Sequence, residues 1–262
     1  MRHRSRSSDG FWIAAFSLTV FLLSSCTRIA AHADRKLGIG SQPFSADGQS
    51  LLVSIARQNT MDLYQVTRDG TLTRLTSQGA NFDGSYAPDG SKIVFSSTAA
   101  NPDSTLYERD TTGTLTEDSR EADLFVMNAN GSSRVRLTNS PEHDTAPIFI
   151  ADGQRICFRR SRFYRPVYAP AADSNWWDTD IYTIKTNGSD LVRLTQQTSA
   201  EASPPSIAPN GQYVIVDLRA WRSADDPLIR NRHEEGFWLI TLVEPYPRYC
   251  QMLWVSGRSL VA

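Results

Sequence analysis

The sequence predicts an all-β fold made of tandem antiparallel units, because one pattern of strands and turns recurs along the chain. The first half of the pattern is a short segment, an Asp-Gly or Asn-Gly dipeptide, and an apolar strand. Its four copies align without gaps and begin at Phe44, Tyr86, Phe149 and Ile207. Gly and Asn tolerate the positive φ angles of a two-residue primed turn, so each dipeptide predicts a hairpin.

The second half of the pattern predicts two further strands for each unit. An Asp followed by Leu or Ile and then by Tyr or Phe begins this half at Asp62, Asp123 and Asp180. An Arg-Leu-Thr tripeptide closes it at residues 74–76, 136–138 and 193–195. Four-stranded units in tandem cannot bury their faces alone and must pack against their neighbours, so the repeat predicts a β-propeller.

The combined pattern resembles the TolB-type β-propeller repeat of bacterial periplasmic proteins, over roughly Gly38 to Leu242. The resemblance implies blades of four antiparallel strands at about 38–80, 81–140, 141–199 and 200–262, the last of them irregular. Propellers of this family usually have six blades. The array is therefore expected to be shortened, closed unusually by its tail, or completed by another chain. After Ile240 the Arg-Leu-Thr signature is missing, although Cys250–Val255 has the composition of a strand.

The N-terminus predicts export. Basic residues precede an apolar run at 11–23 that is shorter than the roughly 20 residues of a membrane-spanning helix. The run ends in Leu-Ser-Ser-Cys, which resembles a bacterial lipoprotein cleavage site and implies a lipid on Cys26. Residues 1–26 are then the signal peptide, 27–37 a tether and 38–262 the propeller domain. The residues after Cys26 resemble those of outer-membrane lipoproteins. The alternative is an ordinary signal peptide with an incidental cysteine.

The net charge bears on the possible partners of the chain, and the cysteines bear on its possible cross-links. The formal net charge of −1 gives no indication of a nucleic-acid partner. Cys157 lies within a predicted strand and is expected to fill space in the core. A disulfide between Cys157 and Cys250 is the alternative for an exported protein.

Long insertions fall on one face of the predicted propeller. The Asp-Gly turns and the turns between the third and fourth strands share the opposite face, which we call the turn face. The other face, which we call the elaborated face, receives the insertions at 98–122, 160–179 and 218–235. Loops that lengthen on one face of a regular scaffold are common sites of function.

Tyr, Trp and Arg predict a binding surface on the elaborated face, because these residues carry many interface hot spots. The candidates are Arg159, Arg160, Arg162, Tyr164, Arg165, Tyr168, Trp176, Trp177 and Trp221. The alternative is that the aromatic residues fold back and cover the blade edges.

Acidic residues also precede the inner strand of three units, at Asp83, Asp144 and Glu201. They are candidates for a ring at the channel mouth that takes a cation or a basic peptide segment. The alternative is that each carboxylate caps backbone N–H groups at a blade junction.

The sequence offers no catalytic constellation. Outside the signal and tether, the histidines are His143 and His233, too few for a His-rich metal site. No nucleophile elbow and no Gly-rich phosphate loop is present. We therefore predict a non-enzymatic envelope module without a cofactor, which binds other envelope proteins as the resemblance implies. The alternatives are a carbohydrate-binding propeller and a reduced relative of a propeller lyase or of a peptidase-associated propeller.

Overall fold

The computed structural model of the chain describes residues 37–57, 60–100, 107–109, 115–117, 122–164, 176–195, 200–208, 210–220, 235–242 and 250–252. The predicted signal peptide and residues 27–36 of the tether lie outside these ranges. Among the described residues, no helix reaches the length and apolarity that a membrane crossing requires.

Four antiparallel sheets follow one another along the chain, and three of them have the four-stranded order of a propeller blade. The first blade consists of β1 (Leu37–Gly38), β2 (Ser50–Arg57), β3 (Thr60–Thr67) and β4 (Leu72–Arg74). The second consists of β5 (Asn81–Tyr86), β6 (Lys92–Ser97), β9 (Asp123–Asn128) and β10 (Val135–Arg136). The third consists of β11 (His143–Phe149), β12 (Arg155–Tyr164), β13 (Trp176–Lys185) and β14 (Val192–Arg193). These sheets confirm the predicted all-β propeller fold.

The fourth blade is irregular, as the sequence predicts. Its inner strand is divided into β15 (Ala200–Ala202) and β16 (Ser206–Ile207), and both parts pair with β17 (Tyr213–Ala220). The remaining strands are β18 (Glu235–Thr241) and β19 (Cys250–Met252). Cys250 pairs with Ile240, so the tail supplies the outer strand of this blade without an Arg-Leu-Thr signature.

Hydrophobic contact between neighbouring blades forms the core. The first and second blades meet through a cluster that includes Leu52 and Phe95. The second and third meet through Val94 and Phe158, among others. Because the second blade lies between the first and the third, both faces of β6 are buried. The third junction includes Cys157, which is a free thiol, so it forms no disulfide with Cys250.

The hairpin turns differ from the predicted two-residue primed type. At the turn of the first blade, Gly48 has a φ of 66° and donates its N–H to the carbonyl of Ser45 (2.8 Å), while Asp47 keeps a negative φ. A primed turn needs positive φ at both central residues, so this is an ordinary turn followed by a left-handed glycine. Asp47 Oδ1 accepts the N–H of Gln49 (3.0 Å) and thereby fixes the turn. The other repeat turns share this arrangement, with glycines at positions 70, 90, 131, 153, 188 and 211.

A buried hydrogen-bonded latch joins the third and fourth strands in each of the first three blades. In the second blade, Asp123 accepts bonds from Arg136 Nη2 (2.6 Å) and Thr138 Oγ1 (3.2 Å). The Thr138 hydroxyl in turn accepts the backbone N–H of Leu124 (2.9 Å). Burial raises the pKa of Asp123, and the charge of Arg136 opposes that shift. The same pattern joins Asp62, Arg74 and Thr76 in the first blade, and Asp180, Arg193 and Thr195 in the third.

Replacing the hydroxyl of this latch tests its contribution to stability. Thr138→Val keeps the shape of the side chain but leaves the buried N–H of Leu124 without its acceptor. We expect the free energy of unfolding to fall by about 1–3 kcal/mol. Thr73→Val is a matched control, because Thr73 lies exposed on an outer strand. Equal effects of the two substitutions in urea unfolding would show that the latch contributes nothing specific.

Candidate functional site

The third blade carries a long two-stranded arm on the elaborated face. Pairing of β12 with β13 runs from Arg155 opposite Lys185 to Tyr164 opposite Trp176. The second blade ends its equivalent pairing at Ser97 opposite Asp123, which corresponds to Arg160 opposite Asp180. The arm therefore extends four residue pairs further, about 13 Å at the usual rise of a strand. Residues 160–164 and 176–179, expected to be loop, are strand instead.

The register of the arm separates the predicted aromatic residues. Trp176 lies opposite Tyr164, and Trp177 lies opposite Phe163. Neighbouring positions along a strand belong to opposite faces of the sheet. The two tryptophan positions therefore lie on different faces of the arm.

Arg160 has a structural role that the sequence did not predict. Its guanidinium donates two bonds to Asp144, at 2.6 Å from Nε to Oδ1 and 2.8 Å from Nη2 to Oδ2. It also lies over the rings of Phe158 and Tyr182, at 5.6 and 5.0 Å from their centroids. Burial raises the pKa of Asp144, and the bonds from Arg160 oppose that shift. Both partners are buried, so neither is available to an external ligand.

The other two described arginines of this candidate surface differ from each other. Arg159 donates to Thr145 Oγ1 (3.0 Å) and to the carbonyl of Ala202 (3.2 Å), and so ties the third blade to the fourth. Arg162 keeps 38% of its side chain exposed and lies 3.7 Å from Glu142 and 3.5 Å from Asp180. Arg162 is therefore partly accessible to solvent, whereas Arg160 is buried.

The three acidic residues predicted at the channel mouth lie in different surroundings. Asp83 accepts the backbone N–H of Ala146 in the next blade (3.1 Å), as the capping alternative predicts. Asp144 is fully buried beside Arg160, two positions before the repeat equivalent of Asp83. Glu201 lies in β15, where its backbone pairs with Arg219. Within the described part of the chain, no group of three or more His, Cys, Asp or Glu side chains could hold a metal ion.

Several predicted site residues lie outside the described residues: Cys26, Arg165, Tyr168 and Trp221. Within the acidic insertion of the second blade, the structure describes a separate hairpin of β7 (Tyr107–Arg109) and β8 (Leu115–Glu117).

Sequence reasoning overlooked Arg134. Its guanidinium lies over the stacked rings of Phe95 and Phe125, at 5.1 and 4.4 Å from their centroids. Nη2 donates to Ser97 Oγ (2.7 Å) and Asn81 Oδ1 (3.2 Å). The repeat pattern does not mark the position of Arg134, because the third blade has Leu191 there. The sequence feature that could have indicated its role is the aromatic pair, Phe95 and Phe125, in the neighbouring strands.

Comparison with known proteins agrees with the repeat pattern and with the sheets. No family model matches the sequence. The chain is 31% identical over 110 residues to the Tol-Pal system protein TolB of Anaeromyxobacter dehalogenans, a match that covers 42% of this chain and 21% of that protein. The chain is TolB-like. The chain thus spans about a fifth of the length of this TolB relative.

Two solved TolB structures are similar to this chain. The crystal structure of TolB from Acinetobacter baumannii matches with a TM-score of 0.50 at 19% identity, over 77% of this chain and 40% of that one. A TolB-type structure from Agrobacterium tumefaciens matches with a TM-score of 0.43 at 25% identity, over 59% of this chain and 48% of that one. The likeness to the Acinetobacter structure supports the propeller fold of this TolB-like chain.

Removing one partner of the buried Asp144–Arg160 pair should be costly. Asp144→Ala removes the bidentate partner of the buried Arg160 guanidinium and leaves it the longer ion pair with Glu142 (3.3 Å), and we expect a loss of about 3–5 kcal/mol of stability. The residues of the second blade that correspond to Asp144, Arg160 and Leu191 are Asn81, Ser97 and Arg134. The triple variant Asp144→Asn, Arg160→Ser and Leu191→Arg should therefore restore stability. We expect this triple variant to unfold in urea within about 1–2 kcal/mol of the parent chain. A triple variant as unstable as Asp144→Ala would refute the equivalence of the two arrangements.

Proposed function

We propose that this TolB-like chain is a non-catalytic binding module of the bacterial envelope, which contacts other envelope proteins through its elaborated face. The observation that carries the proposal is the arm of the third blade. It extends past the body of the propeller, while the turn face holds tight turns fixed by their own hydrogen bonds. A projecting element beside a rigid scaffold is a common arrangement for recognition.

The edges of the arm support contact with another protein. Pairing of β11 with β12 ends at Ser161, and pairing of β14 with β13 ends at Tyr182. The last three positions of β12, from Arg162 to Tyr164, therefore have no described strand on their inner side. Strand edges that can pair with another chain, next to aromatic and arginine positions, suit protein contacts. The similarity to a Tol-Pal system protein supports partners in the cell envelope and a periplasmic location.

Substituting the two tryptophans of the arm tests the proposed binding surface. Trp176→Ala together with Trp177→Ala should weaken capture of an envelope partner by about 2 kcal/mol or more. The control is Lys92→Ala, an exposed substitution beside an Asp-Gly turn on the turn face. Binding would be measured with solubilised membranes and then with the purified partner, alongside thermal unfolding.

Three outcomes would contradict the proposal. A large loss of thermal stability without a specific loss of binding would show that the tryptophans cover the blade edges instead. Binding that is lost in the turn-face control but retained in the arm variant would show that the partner contacts the turn face. Binding of envelope polysaccharide that depends on the two tryptophans, without any protein partner, would favour the carbohydrate alternative.

We also propose that Cys26 carries a lipid that anchors the chain to the outer membrane. Each buried CH₂ of an acyl chain contributes about 0.8 kcal/mol, so several chains on one residue hold it firmly. Cys26→Ser should move the protein from the membrane to the soluble periplasmic fraction and abolish labelling with a radioactive fatty acid. A parent protein without acyl mass would overturn the anchor, and Cys250→Ser is the matched control.

A further inference from the structure

Three asparagines stand directly before a glycine: Asn130, Asn187 and Asn210. In such a pair the glycine nitrogen can attack Cγ of the asparagine side chain, because no Cβ on the glycine hinders the approach. A bond forms between that nitrogen and Cγ, the bond from Cγ to the amide nitrogen breaks, and ammonia leaves with the proton of the glycine N–H. Water then opens the cyclic imide at one of its two carbonyls, which yields an aspartate or an isoaspartate. All three asparagines are exposed in hairpin turns of the turn face.

The glycine nitrogen is held alike in the three turns. Each glycine has a left-handed φ, between 69° and 85°, and donates its N–H to the carbonyl three residues earlier, at 2.8–2.9 Å. Attack on Cγ requires this hydrogen bond to open and the N–H to lose its proton. Because the bond is the same in all three turns, it slows the reaction equally and does not decide which asparagine reacts first.

The side-chain amide is held more weakly in one turn than in the other two. Asn130 Oδ1 accepts the backbone N–H (3.0 Å) and the hydroxyl (2.7 Å) of Ser132. Asn187 Oδ1 accepts the same two groups of Ser189, at the same distances. Asn210 Oδ1 accepts the N–H of Gln212 (3.0 Å), and the second contact is a longer bond from its Nδ2 to Gln212 Oε1 (3.4 Å). Because the amide must leave its bonds before Cγ can face the glycine nitrogen, Asn210 is released more readily than the other two.

We propose that Asn210 is the residue at which the folded chain deamidates, and that aspartate is the product that accumulates. The equivalent turn of the third blade already contains an aspartate, Asp152, whose Oδ1 accepts the N–H of Gln154 (2.9 Å). An aspartate formed from Asn210 keeps the corresponding bond to Gln212. Isoaspartate carries an additional methylene in the main chain, which displaces the carboxylate from that bond, and it can close to the imide again. Repeated closure and opening therefore lead to the aspartate that the turn stabilises.

The modified chain has an aspartate at this turn in all four blades. Asp47, Asp89 and Asp152 hold the position in the first three, and each Oδ1 accepts the N–H two residues later. The bonds from the N–H and the hydroxyl of Ser91 lower the pKa of Asp89, so this kind of turn favours the ionised carboxylate. The added charge lies on the turn face, and the proposed binding through the elaborated face does not depend on it.

Peptide mapping by mass spectrometry, after incubation of the full chain in mildly alkaline buffer, tests this order of reaction. We expect the change of mass from amide to acid to appear at Asn210 before Asn130 and Asn187. Ser132→Ala removes a bond to Asn130 and should speed its deamidation about fivefold, since one hydrogen bond contributes about 1 kcal/mol. Gln212→Ser supplies the missing hydroxyl and should slow the reaction of Asn210 by a similar factor. The control is the chain unfolded in urea, in which the three sites should react at similar rates.

Several results would overturn the proposal. One is a folded chain in which Asn130 or Asn187 reacts as fast as Asn210, and another is an Asn210 that stays intact while the unfolded chain reacts. Rates that do not change in Ser132→Ala and Gln212→Ser would show that the side-chain bonds do not control the reaction. Isoaspartate as the main final product at position 210, detected with an isoaspartyl methyltransferase, would refute the proposed accumulation of aspartate.

Discussion

The latch between the third and fourth strands is the interaction on which the blade architecture depends. Each outer strand is only two or three residues long, too short to be held by its ladder hydrogen bonds alone. The buried carboxylate of Asp123 adds further attachment, because it binds Arg136 at the end of the outer strand and Thr138 just beyond it. The short outer strand with its arginine also limits the open edge that the blade presents to other sheets. The fourth blade lacks all three latch residues, and its outer strand comes from a distant part of the tail.

The inner strands are held together across blade junctions by a bulge. Asp83 and Ala146 occupy equivalent positions and both have left-handed φ angles, 53° and 50°. The Asp83 carboxylate accepts the N–H of Ala146 in the next blade, which would otherwise lack a partner at the bulge. The side chain of Ala146 cannot accept a hydrogen bond from the fourth blade in the same way. None is needed there, because the equivalent residue of the fourth blade is Pro204, which has no N–H. The unusual φ angles thus accompany a specific contact between blades.

The sequence predicted the fold well because the repeat itself encodes it. Gapless copies of one pattern fix the number of sheets, the strand order and the face that carries each turn. The turn type was wrong because an Asp-Gly pair fits both a primed turn and a left-handed glycine after an ordinary turn. The candidate site was less predictable. Arg160 in an aromatic-rich insertion has the composition of a binding surface, and only the position of Asp144 shows that the charge is used internally.

The two guanidinium sites show why alignment alone misses part of this structure. In the second and third blades, a guanidinium covers a stacked aromatic pair near the base of the elaborated face. Arg134 reaches that place from the segment before an outer strand, and Arg160 reaches it from the second strand of its blade. Ile55 and Leu218 stand at the position of Arg160 in the first and fourth blades. Burying a guanidinium is costly without hydrogen-bond acceptors nearby, and each site provides them, through Asn81 and Ser97 or through Asp144. The second and third blades therefore share a guanidinium over the aromatic rings. Arg134 and Arg160 supply it from different backbone positions.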